Sequence, residues 1–154
     1  MASEEVLYVE GGQALRGEAV VQGSKNAALP MIAASLLATQ GQTVLRRVPP
    51  VKDVLVALQV LRELGACVEY DAEDGVAVID ASGDISHRLP EDLSSRFRAS
   101  VLFVGPLLSR FRRAWIREVG GCTIGSRPTD YHYRGFARLG AEVQGIVGGG
   151  FDVV

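Results

Sequence analysis

The sequence predicts an α/β protein built from a helix–strand–helix–strand–strand unit that occurs twice. Two internal matches and a switch of apolar period carry that expectation. "LGACVEY" and "GVAVID", starting at Leu64 and Gly75, return as "LGAEVQG" and "GFDVV", starting at Leu139 and Gly150. The matched positions lie 75 residues apart, as from Leu64 to Leu139 or from Val78 to Val153, which is the signature of a repeated supersecondary unit. Further upstream "SLLATQGQTVLRRV" matches "PLLSRFRRAWIREV" at a spacing of 71, pairing Leu36 with Leu107, Leu45 with Ile116 and Val48 with Val119. Within each copy the apolar period alternates between the helical and the extended one.

Taken in order, residues 5–22 look like two strands around "GGQALRG" and stand outside the repeat. Asn26 to Leu37 is apolar at helical spacing, and "TVLRRV" has the β-branched content of a strand. "VKDVLVALQVLREL" is an amphipathic helix ended by Gly65, the residue suited to a left-handed cap. "ACVEY" and "VAVID" alternate as a hairpin across an Asp-Gly turn, with Cys67 expected in the core. The Gly-, Pro- and Ser-containing "SGDISHRLPED" is a connector. The second copy supplies "SSRFRASVLFVGPLLSRF" (helix), "AWIREV" (strand, with Trp115 in the core), "PTDYHYRGFARL" (helix), "AEVQG" and "FDVV". The expected divisions are 1–22, 23–82 and 83–154. The sequence stops at Val154 inside the last expected strand, so two such units are expected to be part of something longer.

Composition narrows the function class. Apolar residues make up 47% and charged residues 22% of 154 residues, ordinary for a globular chain. A net charge of −2 offers no global attraction to nucleic acid or an anionic membrane. No apolar run is long enough to span a bilayer. Cys67 and Cys122 form neither a CxxC pair nor a metal-type cluster, so no metal or cofactor is expected, and both thiols are read as free in a cytoplasmic protein.

Local charge is a different matter. From Arg96 to Arg138 there are nine arginines against two acids, Glu118 and Asp130, a segment of about +7. The planar guanidinium suits phosphate and carboxylate, although any one arginine can equally be a solvated side chain. Arg110, Arg112 and Arg113, at a helix–strand junction, are read as solvated. Arg127 precedes Pro128, a favoured first-turn residue, with Ser126 as the expected cap; a helix start beside an arginine is an anion site. The difference between spacings of 71 and 75 places four extra residues of the second copy just here, in the loop that holds Cys122. That thiol is either activated by the neighbouring cations and backbone donors or an incidental loop cysteine. "GSKNAALP" opens the first long helix, with Lys25 and Asn26 in its first turn. There a lysine opposes the helix dipole, and either a bound phosphate or plain solvent exposure accounts for it. Gly23 is read as allowing close approach of a ligand. His132 is a proton relay or a surface residue.

Three separated motifs, "GSKNAALP", "FRAS…GPL" and "GGCTIGSRPTDYH", resemble in order and over essentially the whole chain the enolpyruvyl transferases that act on UDP-N-acetylglucosamine. The related enolpyruvyl transferases of the shikimate pathway share the fold but lack the cysteine loop. The resemblance implies a lobe of an inside-out α/β barrel, of which two of three units are present, with residues 1–22 belonging to a second lobe. It implies transfer of the enolpyruvyl group of phosphoenolpyruvate to the 3-hydroxyl of UDP-N-acetylglucosamine, with release of phosphate, in peptidoglycan precursor synthesis. By motif position Cys122 matches the family's catalytic cysteine, a proton donor to the methylene carbon of phosphoenolpyruvate. Lys25 and Asn26 match contacts to phosphoenolpyruvate, and Arg98, Arg127, Pro128, Thr129, Asp130 and Tyr131 match contacts to the nucleotide sugar. The family's later site residues, including the aspartate base for the sugar hydroxyl, are expected from a missing C-terminal portion. The alternative is a non-catalytic, nucleotide-sugar-binding or regulatory short paralogue.

Overall fold

The computed structural model describes residues 6–12, 14–117 and 128–154. Helix α1 (Lys25–Ala34) starts where the Ser24 hydroxyl accepts from the Ala27 amide at 3.4 Å, and a 3-10 turn at Ser35–Leu37 extends it. Pro30, inside α1, has no N–H to give the Asn26 carbonyl, so that oxygen lacks its intrahelical donor. Strand β1 (Gln42–Leu45) leads to α2 (Lys52–Leu64), whose apolar stripe Val54, Ala57, Leu58, Leu61 and Leu64 is buried. Gly65 ends α2 at φ 110°, where a side chain would also meet the Asp84 carbonyl. Strands β2 (Cys67–Asp71) and β3 (Val76–Asp80) complete an antiparallel sheet of order β1-β3-β2.

The second copy repeats this architecture. After α3 (Glu91–Arg96), a 3-10 stretch (Arg98–Phe103) and α4 (Val104–Phe111) come β4 (Ala114–Ile116), α5 (Asp130–Arg138), β5 (Val143–Gly145) and β6 (Phe151–Val153), in a sheet of order β4-β6-β5. Register makes the equivalence exact in residue terms. Thr43 pairs with Ile79 as Ala114 pairs with Val153, and Val68 pairs with Ile79 as Val143 pairs with Val153. First strands are therefore 71 residues apart, second strands 75 and third strands 74. The expected match of Val78 with Val153 is corrected: Ile79 is the buried counterpart, because the second hairpin turn is one residue shorter. One apolar cluster runs through both copies, from Ile32, Leu36 and Leu61 to Phe103, Leu107 and Ile116.

Several expectations change. Residues 6–22 form no strand among the described residues; Leu7, Tyr8, Val20 and Val21 are more than four-fifths exposed. β-prone residues become a strand only when a neighbouring chain segment takes their N–H and C=O groups, and no described strand does so. Cys67 is exposed: alternation puts it with Glu69 and Asp71, on the face opposite Val68 and Tyr70. The helix expected over 94–111 breaks at Phe97 (φ −134°, ψ 105°). Fully buried Ser94 and Ser100 serve that break, the Ser100 hydroxyl donating to the Ser94 carbonyl at 3.2 Å. Helix α5 begins at Asp130 with Thr129 at its cap, two residues beyond the expected start, and Ser126 lies outside the described residues.

The junction arginines are also more than solvated side chains. Arg110 Nη1 donates to the Leu36 carbonyl at 2.9 Å and the Ala81 carbonyl at 2.7 Å, stapling the second copy to the first. Arg113 forms a two-pronged pair with Asp152 at 3.0 and 2.6 Å. Arg112 takes the left-handed conformation (φ 55°) that Gly41 (φ 73°) takes 71 residues earlier. Trp115 is buried, under the Arg88 guanidinium at 4.3 Å, and its backbone pairs with His87 and Leu89 of the connector.

Candidate functional site

Three chain segments meet at one cavity of about 320 Å³. The start of α1 contributes Lys25 and Asn26, the first turn of α2 contributes Asp53, and the break after α3 contributes Phe97 and Arg98. His132, in the first turn of α5, closes the rim. The extended conformation of Phe97 buries its own ring and turns the next residue, half-buried Arg98, into the opening. Arg98 Nη2 then reaches the Pro128 carbonyl at 3.4 Å, a long bond that joins this wall to the segment preceding α5.

Lys25 is the first residue of α1 and does oppose the dipole there. Its ammonium finds a partner in Asp53, with Nζ to Oδ2 at 2.8 Å and both side chains nearly half exposed. Asp53 was not singled out by sequence, although a carboxylate in the first turn of an amphipathic helix is a favoured placement and a readable one. Gly23 has a different purpose from the one expected: a Cβ there would collide with the Arg47 carbonyl, so the residue allows close packing of backbone on backbone.

Of the sequence-derived candidates, Lys25, Asn26, Arg98 and His132 line the cavity together. Pro128 adjoins it through Arg98, while Thr129 and Asp130 form the α5 start. Asp130 lies 4.0 Å from Arg134, and the exposed ring of Tyr131 lies 5.7 Å from the same guanidinium. Cys122 and Arg127 lie outside the described residues. Behind the α5 start, Tyr133 packs its ring at 3.9 Å on Phe151, and its hydroxyl has no hydrogen-bond partner among the described residues. Burial pushes its phenol up to about 12, with the nearby Thr129 side chain acting in the opposite direction.

Chemically the cavity offers two fixed cations, Lys25 and Arg98, against one carboxylate, plus the free amides of a helix start. That is a donor set for a small anion. Among the described residues no group of three His, Cys, Asp or Glu side chains is placed to hold a metal ion. No helix among them is long and apolar enough to cross a membrane.

Residues 9–152 match the family model described as EPSP synthase (3-phosphoshikimate 1-carboxyvinyltransferase). Among curated relatives, UDP-N-acetylglucosamine 1-carboxyvinyltransferase of Thermobifida fusca is 55% identical over 144 residues, covering 91% of this chain and 33% of that protein. Among solved structures, the enolpyruvyl transferase NikO from Streptomyces tendae superposes with a TM-score of 0.76 at 25% identity, over 94% of this chain and 31% of that one. The chain thus spans about a third of the length of the relatives it matches.

Proposed function

Because the chain belongs to the EPSP synthase family of enolpyruvyl transferases, we propose that it supplies one wall of an enolpyruvyl-transfer site, completed by a longer polypeptide. The donor is phosphoenolpyruvate, the acceptor the 3-hydroxyl of UDP-N-acetylglucosamine, and phosphate is released. Lys25, Asn26 and the α1 amides hold the donor's anionic end. Arg98 and the run Arg127 to Tyr131 hold the nucleotide sugar. The Cys122 thiol gives its proton to the methylene carbon of the donor, which makes the adjacent carbon electrophilic toward the sugar hydroxyl. The hydroxyl proton passes to the base expected from the missing portion, and loss of phosphate together with a proton from the newly formed methyl group leaves the enol ether.

The observation that carries this reading is the convergence of Lys25, Asn26 and Arg98 on one cavity whose far side leads directly into Pro128 and α5. The likeness to the Thermobifida fusca relative supports the choice of acceptor. Fosfomycin, an epoxide phosphonate resembling phosphoenolpyruvate, tests it: mass spectrometry of the treated chain should find the adduct on Cys122, formed more slowly in Lys25→Met. An adduct on Cys67, or on neither cysteine, refutes the assignment.

A second reading is a nucleotide-sugar-binding module without turnover, which the cations lining the cavity would serve equally well. Mixing the chain with the remaining two-thirds of the Thermobifida fusca relative separates the two. Restored phosphate release from both substrates supports the enzyme. UDP-N-acetylglucosamine binding with no phosphate release supports the module. The isolated chain is expected to release no phosphate.

A further inference from the structure

We infer that Asp53 is a positioning residue of the anion site, holding the Lys25 ammonium at the cavity mouth and setting how tightly phosphate is retained there. The inference rests on the proposal that this cavity takes a phosphate-bearing ligand. The 2.8 Å pair joins the first turns of α1 and α2 across 28 residues of sequence. Side-chain exposures of 47% and 44% leave it open to water, where such a pair contributes little to folding. Fold stability therefore does not account for it. Its place does: Asp53 is the one carboxylate among the described residues lining the cavity, and it touches the one lysine there.

Two consequences follow from the charges. A lysine at a helix N-terminus is pushed outward by the dipole, and Asp53, itself steadied by the α2 N-terminus, holds it in place. An anion seated on Lys25 also meets the Asp53 charge a few ångströms away, which weakens its hold. A reaction that ends by releasing phosphate gains nothing from binding it tightly, since affinity common to every state along the path does not speed the chemistry.

The test compares the unmodified chain, Asp53→Asn and Asp53→Glu, titrated with inorganic phosphate at constant low ionic strength. Phosphate affinity is followed by NMR, Lys25 ammonium mobility by its nitrogen relaxation, and the melting midpoint by circular dichroism. Asp53→Asn should bind phosphate about threefold to tenfold more tightly. Its Lys25 ammonium should become more mobile, and its midpoint should stay within about 2 °C. Asp53→Glu should keep phosphate affinity within about twofold of the unmodified chain, because the charge remains. Phosphate affinity unchanged or weaker in Asp53→Asn, or an equally ordered Lys25, overturns the inference while leaving the cavity reading intact. If the unmodified chain binds no phosphate, the cavity reading fails and the inference with it.

Discussion

Replacing Arg110 by Met should loosen the join between the two copies. The side chain donates through a single Nη1 to the carbonyls of Leu36 and Ala81, residues that are 0% and 1% exposed. Methionine keeps most of the aliphatic stem and removes the donor, so packing changes little while two buried acceptors lose their partner. A hydrogen bond from a charged donor contributes about 1.5–3 kcal/mol net, and each orphaned carbonyl costs about 1–3 kcal/mol. These describe the same loss from two sides and share one nitrogen, so a total of about 2–4 kcal/mol is expected rather than their sum. For a chain of this length that lowers the melting midpoint by roughly 5–15 °C. Thermal and urea unfolding followed by circular dichroism measures both quantities. A loss below about 1 kcal/mol would mean that water satisfies the two carbonyls, and the staple would have to be abandoned.

Other substitutions probe separate parts of the account. Gly23→Ala should cost about 2 kcal/mol or more in urea unfolding, because only a backbone shift relieves the collision with the Arg47 carbonyl. An effect under 0.5 kcal/mol would show that the α1 entry is pliable. Tyr133→Phe removes a buried hydroxyl that has no hydrogen-bond partner among the described residues and should leave stability equal or raise it by up to about 1 kcal/mol. The same residue gives an alkaline prediction. Its folded value of about 12 lies above the unfolded 10.0, so its contribution is present below pH 10 and is lost as pH rises through about 12. Alkaline melting curves of Tyr133→Phe should lack that decline. At the acid end, hydrogen bonding to Arg113 holds the Asp152 carboxyl below its usual range. Its contribution is present above the unfolded value and is lost as pH falls through the folded one, so Asp152→Asn should flatten the acid limb of the stability profile.

How much of this could be read from sequence varies by residue, for physical reasons. Helix α2 and its Gly65 cap were legible because periodicity and cap chemistry are local properties. The repeat was legible too, but not its last register step: Val78 and Val153 align by letter, whereas Ile79 and Val153 align by face. Only pairing partners reveal a one-residue change in a hairpin. The break at Phe97 depends on the Ser100 hydroxyl reaching the Ser94 carbonyl, and the Ser94 hydroxyl the Glu91 carbonyl, in a buried setting, which no propensity scale contains. Arg110 illustrates the same limit, since its acceptors lie 74 and 29 residues away. In the candidate site, Lys25, Asn26 and Arg98 stood out through motif and charge, and Asp53 did not, because its meaning depends on facing another helix start. The strand-like stretch at 6–22 forms no strand among the described residues for the complementary reason: composition describes a readiness to pair, not the presence of a partner.

On the proposed reading, Lys25, Asn26, Arg98 and the start of α5 make a single anion site. Amide NMR of the chain titrated with phosphoenolpyruvate tests it most directly. Saturable shifts should gather at residues 24–27, 98–99 and 128–132, and should vanish in Lys25→Met. Shifts centred elsewhere, such as the Arg113–Asp152 pair, or a response that survives loss of Lys25, would contradict it.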